Sequence, residues 1–161
     1  MSRAGAPTIR AAGERDLDRV AALASLLFAH HASAGARFAL AGGREGELRD
    51  LLAGLLRDPQ RKLVVAEGSD GNLLGFAVAA IVRRPGPFVE RERGEIDWVF
   101  VREEAQRRGV GRALTAAALA WLRERGVGRV EIQVARANAS GFAFWRALGF
   151  AATMDVLDLH L

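Results

Sequence analysis

Glu95-Ile96-Asp97-Trp98-Val99-Phe100-Val101, followed by Gln106-Arg107-Arg108-Gly109-Val110-Gly111-Arg112-Ala113, is the stretch that decides the fold. An apolar strand runs into a short polar turn, and the turn opens a long amphipathic helix. That order suits the holding of phosphate. The first N–H groups of a helix have no intrahelical partners, and the helix dipole adds partial positive charge there. Glycine at 109 and 111 lets an anion approach those amides without a Cβ in the way. Arg107, Arg108 and Arg112 ring the same turn with charge suited to a pyrophosphate.

Two common phosphate devices do not fit. The P-loop ends in Gly-Lys-Ser/Thr, which this turn lacks. A dinucleotide fingerprint needs three glycines and an acidic residue about 20 positions later. Here the glycines are spaced Gly-x-Gly and Arg112-Ala113 follow. Further on stands Asn138-Ala139-Ser140-Gly141-Phe142-Ala143-Phe144-Trp145-Arg146-Ala147-Leu148-Gly149-Phe150. Gln-x-x-Gly-x-Gly after a strand resembles the acetyl-CoA pyrophosphate loop of the GNAT superfamily of N-acetyltransferases. The second stretch resembles that family's Asn-x-x-Ala-x-x-Phe/Leu-Tyr-x-x-x-Gly-Phe segment. Both occur in order between Glu95 and Phe150.

The rest of the composition is compatible. A chain of 161 residues, 50% hydrophobic, fits one domain over 1–161 with a full core. Residues 1–7 read as flexible. The absence of cysteine removes disulfides, thiolate metal sites and a cysteine nucleophile. No metal site is expected. No apolar run is long enough for a membrane span and no signal-peptide pattern opens the chain, so a cytoplasmic protein is expected. The net charge of +4 and the pI near 11.0 come from dispersed arginines. Nucleic-acid binding would favour clustered basic residues interleaved with aromatics. The densest basic site already has a phosphate to explain it, so no nucleic-acid partner is expected.

In chain order, Thr8–Ala11 reads as a strand. Leu17, Val20, Ala21, Ala24, Leu27 and Phe28 give a helix with one apolar face. Residues 32–46 read as a loop, and Leu48, Leu51, Leu52, Leu55 and Leu56 as a second helix stopped before Pro59. Residues 62–67 and 73–83 form a hairpin about Gly68-Ser69-Asp70-Gly71-Asn72. Residues 84–94, with Glu90 and Glu92, form a loop bordering the site. A helix from Val110 to Glu124, a strand at 130–134, a helix at 140–148 and a last extended segment or pair at 150–161 complete the chain. Strands alternating with helices indicate an α/β or α+β sheet. The resemblance implies the GNAT fold, a mixed sheet of six to seven strands flanked by four helices.

Acetyl transfer to an amine needs a held co-substrate, a neutral amine and a stabilised leaving thiolate. The resemblance implies acetyl-CoA as co-substrate, with the backbone of Val99, Phe100 and Val101 along its pantetheine arm. The pyrophosphate falls to Gln106, Arg107, Arg108, Gly109, Val110, Gly111 and Arg112. Asn138 and Trp145 complete the cofactor side, Asn138 being also a good helix N-cap. Alternation places Glu95, Asp97, Val99 and Val101 on one strand face. Glu95 stands eleven residues before Gln106, where histone-type members carry their base, and Asp97 lies in a segment resembling Ile-Glu-Asp-Leu-Tyr-Val. The catalytic pair is therefore Asp97 and Glu95, as bases or as seats for a cationic amine.

Two departures stand out. Gln133, five residues before Asn138, replaces the glutamate that other members use. Trp145 replaces the tyrosine that commonly protonates the thiolate, and the chain holds no tyrosine; an indole N–H donates a hydrogen bond without giving up its proton. His30 and His31 point about 100° apart on a helix and make no joint metal site. Phe38, Phe88 and Trp98 are candidates for an acceptor pocket. The reading is direct acetyl transfer to a primary amine of a small molecule. A protein N-terminal or lysine acetyltransferase and a non-catalytic CoA-binding module stay open, as does a homodimer.

Overall fold

The computed structural model describes residues 6–33, 39–42 and 44–159. Thr8–Ala11 (β1) passes through a one-turn 3-10 helix at Glu14–Asp16 into Leu17–Ala32 (α1). Glu45–Arg57 (α2), Arg61–Glu67 (β2), Leu73–Arg83 (β3) and Glu92–Val101 (β4) follow. Val110–Glu124 (α3), Val130–Glu131 (β5) and Ala139–Ala147 (α4) close the sequence of elements. The strands lie in the order β1-β2-β3-β4-β5. Every neighbouring pair is antiparallel except β4–β5, which is parallel.

Helical spacing explains the layers. Leu17, Val20, Leu23, Ala24, Leu27 and Phe28 bury one stripe of α1 against Leu48 and Leu52 of α2. The same cluster takes in Val65, Phe76 and Val78 from one face of the sheet. On the other face, Val110 and Leu114 of α3 meet Val64, Ala66 and Ala77, while Ala118, Trp121 and Leu122 meet Ala79. Small alanines on the sheet let α3 lie close. Leu52 has no exposed surface, and its truncation to alanine would cost about 3 kcal/mol. Among the described residues no helix is long and apolar enough to cross a membrane.

The α+β architecture agrees with the sequence reading, and three details differ from it. The sheet has five strands among the described residues, not six or seven. Residues 150–159 form no strand, and Met154 and Leu157 are 80% and 92% exposed. β5 pairs with β4 only at Gly94–Val130 and Glu95–Glu131, then the two separate. β4 begins at Glu92 rather than Glu95, because Glu92 pairs with Arg83 and Arg84 donates its N–H to the Arg91 carbonyl across the turn.

The third difference touches chemistry. Val78 pairs with Trp98 and Ala79 with Ile96, so Asp97 is the extra residue of a β-bulge. A bulge shifts the alternation by one. Val99 and Val101 pack on the α3 side, whereas Trp98 and Phe100 pack on the α1/α2 side. Glu95 pairs with Ala80, which pairs with Arg61, so those three share the α1/α2 face. Asp97 joins them by bonding Arg61. The expectation that Glu95, Asp97, Val99 and Val101 share a face is therefore corrected. The two acids stay together, and the two valines go to the opposite side.

Candidate active site

The parting of β4 and β5 opens a cleft of ≈ 1800 Å³. A single small-ligand pocket holds roughly 300–1,000 Å³, so this cleft has room for two substrates together. One end is lined by the bend before α3, the other by α1, α2 and the acids of β4 and β5.

At the first end the backbone is arranged for an anion. Arg107 and Gly109 both have left-handed φ, 59° and 82°. A non-glycine residue there is strained by roughly 1–2 kcal/mol, a cost met at ligand-binding bends. A Cβ on Gly109 would meet nothing within 4 Å, so it is the φ angle, not crowding, that requires glycine. Gly109 is the N-cap of α3 and supplies no side-chain acceptor. The Ala113 N–H closes the first helical bond onto the Gly109 carbonyl. The amides of Val110, Gly111 and Arg112 precede that bond and stay available at the positive end of the helix. Arg107, Gly109, Gly111 and Arg112 line the cleft. Arg108 is not among its lining residues, and the Val110 side chain is buried in the α3 core, leaving only its N–H to serve.

Gln106 also lines the cleft, and its Nε2 donates to the Val101 carbonyl at 3.0 Å, tying the bend to the end of β4. The Arg102 N–H donates to Leu74 of β3, so residue 102 and, by alternation, Phe100 turn their backbone groups toward β3. Those of Val99 and Val101 turn to the other edge, along the cleft, where the Val101 carbonyl takes Gln106. Phe100 thus drops out of the edge expected to meet the pantetheine arm, and its ring sits 6.4 Å from that of Phe76.

Across the gap, Asn138 caps α4: its Oδ1 accepts from the Gly141 N–H at 2.8 Å and from the Ser140 hydroxyl at 3.1 Å. Trp145 lines the cleft but is only 8% exposed. It is held edge-on by Phe144 and Phe150 at 4.9 and 5.2 Å. The aromatic packing gives this tryptophan a structural reason to exist besides its contact with the cleft.

At the other end stand the acids. Arg61 Nη1 donates to Asp97 Oδ2 at 2.7 Å, and its Nε lies 3.6 Å from Asp58. Arg93 Nη2 donates to Glu95 Oε1 at 2.5 Å and its Nε to Glu131 Oε2 at 2.8 Å. Each candidate base is thus held through one oxygen. Asp97 Oδ1 and Glu95 Oε2 take no hydrogen bond among the described residues. Burial raises the Asp97 carboxyl above its ordinary value; Arg61 opposes this and the nearby Glu95 adds to it. An acid so placed accepts a proton more readily than one in water.

Around the acids, Trp98 meets Phe28 edge-to-face at 5.2 Å, and both line the cleft, as expected of Trp98. His30 and His31 line it too, and burial lowers the His31 imidazole. Phe88 does not line it; half-exposed, it lies under Arg84 instead. Residues 84–94 line none of the cleft either; Glu92 bonds Arg83 and Glu90 bonds Arg129. Phe38 and His160 lie outside the described residues. Arg61, Arg93 and Glu131 were missed from sequence. Arg93 and Glu95 share a face by simple alternation, a usable signal, but the β4–β5 register that brings Glu131 beside them is not written in either strand.

Residues 20–150 match the sequence model of the Acetyltransferase (GNAT) family. A mycothiol acetyltransferase of Propionibacterium freudenreichii subsp. shermanii is 32% identical over 136 residues, 84% of this chain and 40% of that protein. Streptothricin acetyltransferase of Streptomyces lavendulae is 33% identical over 110 residues, 68% of this chain and 53% of that protein. This chain therefore spans well under two thirds of the length of these relatives. An aminoglycoside N-acetyltransferase solved in complex with CoA superposes with a TM-score of 0.82 at 20% identity, over 100% of this chain and 99% of that one. That last likeness is one of fold.

Proposed function

We propose, from the premise that this chain belongs to the acetyltransferase (GNAT) family, that it acetylates a primary amine of a small cationic molecule. The co-substrate is acetyl-CoA, whose thioester supplies the activated acetyl group. One observation carries the reading. A single cleft has a cationic, amide-lined end and an acidic end where, among the described residues, Asp97 and Glu95 each keep one oxygen unbonded.

The residues divide the work. The amides of Val110, Gly111 and Arg112, with Arg107 and Arg112 beside them, hold the diphosphate. The cleft-facing edge of β4 at Val99 and Val101 lies along the extended arm. Asp97 and Glu95 draw the acceptor's ammonium and take its proton, directly or through a water, so that a neutral nitrogen attacks. Direct transfer forms the amide and releases the thiolate, which solvent protonates, since the Trp145 indole does not give up its N–H proton. Relatives named for mycothiol, streptothricin and aminoglycosides support a small-molecule acceptor. A cytoplasmic location belongs to the same proposal.

The test is a screen of amines for CoA release, with Asp97→Asn and Glu95→Gln beside the wild type. Turnover that both variants lose supports the reading. Calorimetric CoA binding with no thiol release from any amine would instead favour a CoA-binding module.

A further inference from the structure

The acid Glu131 has no free oxygen. Its Oε2 accepts from Arg93 Nε at 2.8 Å and its Oε1 from Arg129 Nη1. Arg129 in turn grips Glu90 with Nε and Nη2 on both carboxylate oxygens. That second contact shows what an arginine can do with a carboxylate in reach: it closes its planar fork on both oxygens. Arg93 offers the same two nitrogens, Nε and Nη2, yet splits them between Glu131 and Glu95.

We infer that Glu131 is a positioning residue for the transfer reaction: by occupying Arg93 Nε it keeps that arginine from closing on both oxygens of Glu95. The second Glu95 oxygen is thereby left for the acceptor. The register supports this, because Glu131 is the direct partner of Glu95 and the last paired residue before the strands separate. The charged groups facing Glu95 are Arg93 and Asp97 on its own strand, Arg61 on β2, Glu131 on β5, and Arg129 just before β5. Of these, only Arg93 is both bonded to Glu95 and tethered by a second acid across the cleft apex. Arg61 repeats the device more loosely, its Nε 3.6 Å from Asp58. The inference rests on the reading of Glu95 as a working carboxylate, and its test separates the two.

Crystal structures of the wild type and of Glu131→Gln come first, because they need no activity. Arg93 Nε and Nη2 both on Glu95 in the variant is the expected result; an Arg93 still spread toward residue 131, or turned to solvent, overturns the inference. If the wild type turns over no amine, the reading of function fails while this structural result still stands or falls. In kinetics, Glu131→Gln is expected to lower kcat about tenfold, the scale of one lost hydrogen bond to a charged group, with the KM for acetyl-CoA unchanged. Adding Arg93→Lys, whose single ammonium cannot fork, is expected to restore most of that loss. Glu131→Asp, still charged, should keep at least half of kcat, and serves if Glu131→Gln does not fold. A loss with Glu131→Asp as large as with glutamine, or no recovery on adding Arg93→Lys, overturns the inference.

Discussion

Arg10 closes on both oxygens of Asp16, at 2.7 and 2.9 Å, whereas Arg61 and Arg93 each touch one oxygen of Asp97 and Glu95. Asp16 also accepts from the Gly13 N–H and from Arg19, and it has no exposed surface. The Arg10 hydrogen bonds hold its carboxyl well below the usual range, against the opposing effect of burial. At Asp97 burial dominates and raises the carboxyl, since one arginine contact does not offset it. Two acids of the same kind, both facing arginine, are thus pushed in opposite directions. Saturated hydrogen bonding makes a strut, and a half-saturated acid remains able to react.

The comparison is broken most forcefully at the cleft. Asp97→Asn or Glu95→Gln is expected to reduce kcat about 10²–10³-fold. Stability in the Asp97 variant should change by less than about 1 kcal/mol, because its ion pair is partly exposed; urea unfolding beside the kinetics checks both. Next comes the strut. Asp16→Asn strands Arg10 and Arg19 and is expected to destabilise by about 3 kcal/mol, while the folded fraction keeps its kcat. Its pH dependence has a definite sign. A depressed carboxyl contributes fully above its unfolded pKa of about 3.9 and loses that contribution only as pH falls through the depressed folded value. Acid unfolding monitored by circular dichroism should therefore shift to higher pH in the variant.

Smaller effects sharpen the picture. Arg112→Ala is expected to raise the KM for acetyl-CoA about tenfold, the scale of one charge-assisted contact of about 1.5 kcal/mol, with the amine KM unmoved. Smallest is Glu92→Gln, which removes the pair between Glu92, 41% exposed, and Arg83, 70% exposed. It is expected to change stability by less than about 0.5 kcal/mol, measured by the same unfolding curves. A large effect there would mean that exposure is a poor guide to which ion pairs matter in this protein.

Much of this was legible in the chain. The apolar stripes of α1, α2 and α3 lie at helical spacing, and the structure places those helices within a few residues of the expected bounds. The bend at 106–112 was readable because left-handed turns and helix starts select glycine locally. What escaped depends on contacts distant in sequence. The bulge at Asp97 exists only relative to β3, so alternation along β4 misassigned Val99 and Val101. Ile132, Gln133 and Val134 keep strand-like alternation although they leave β4, and that departure makes the cleft. The bond from Gln106 to the Val101 carbonyl likewise depends on where β4 ends, which no local pattern marks. Glu131 carries no local mark at all.

The most direct test of the central claim is the pH dependence of kcat/KM for an amine the wild type acetylates. With Asp97 raised by burial and working in its ionised form, activity falls as pH drops through that raised value. The acidic limb should therefore lie above the ordinary aspartate range near 3.9, and Asp97→Asn should abolish it along with most of the rate. A limb at the ordinary aspartate value, or one that survives unchanged in Asp97→Asn, would contradict the account.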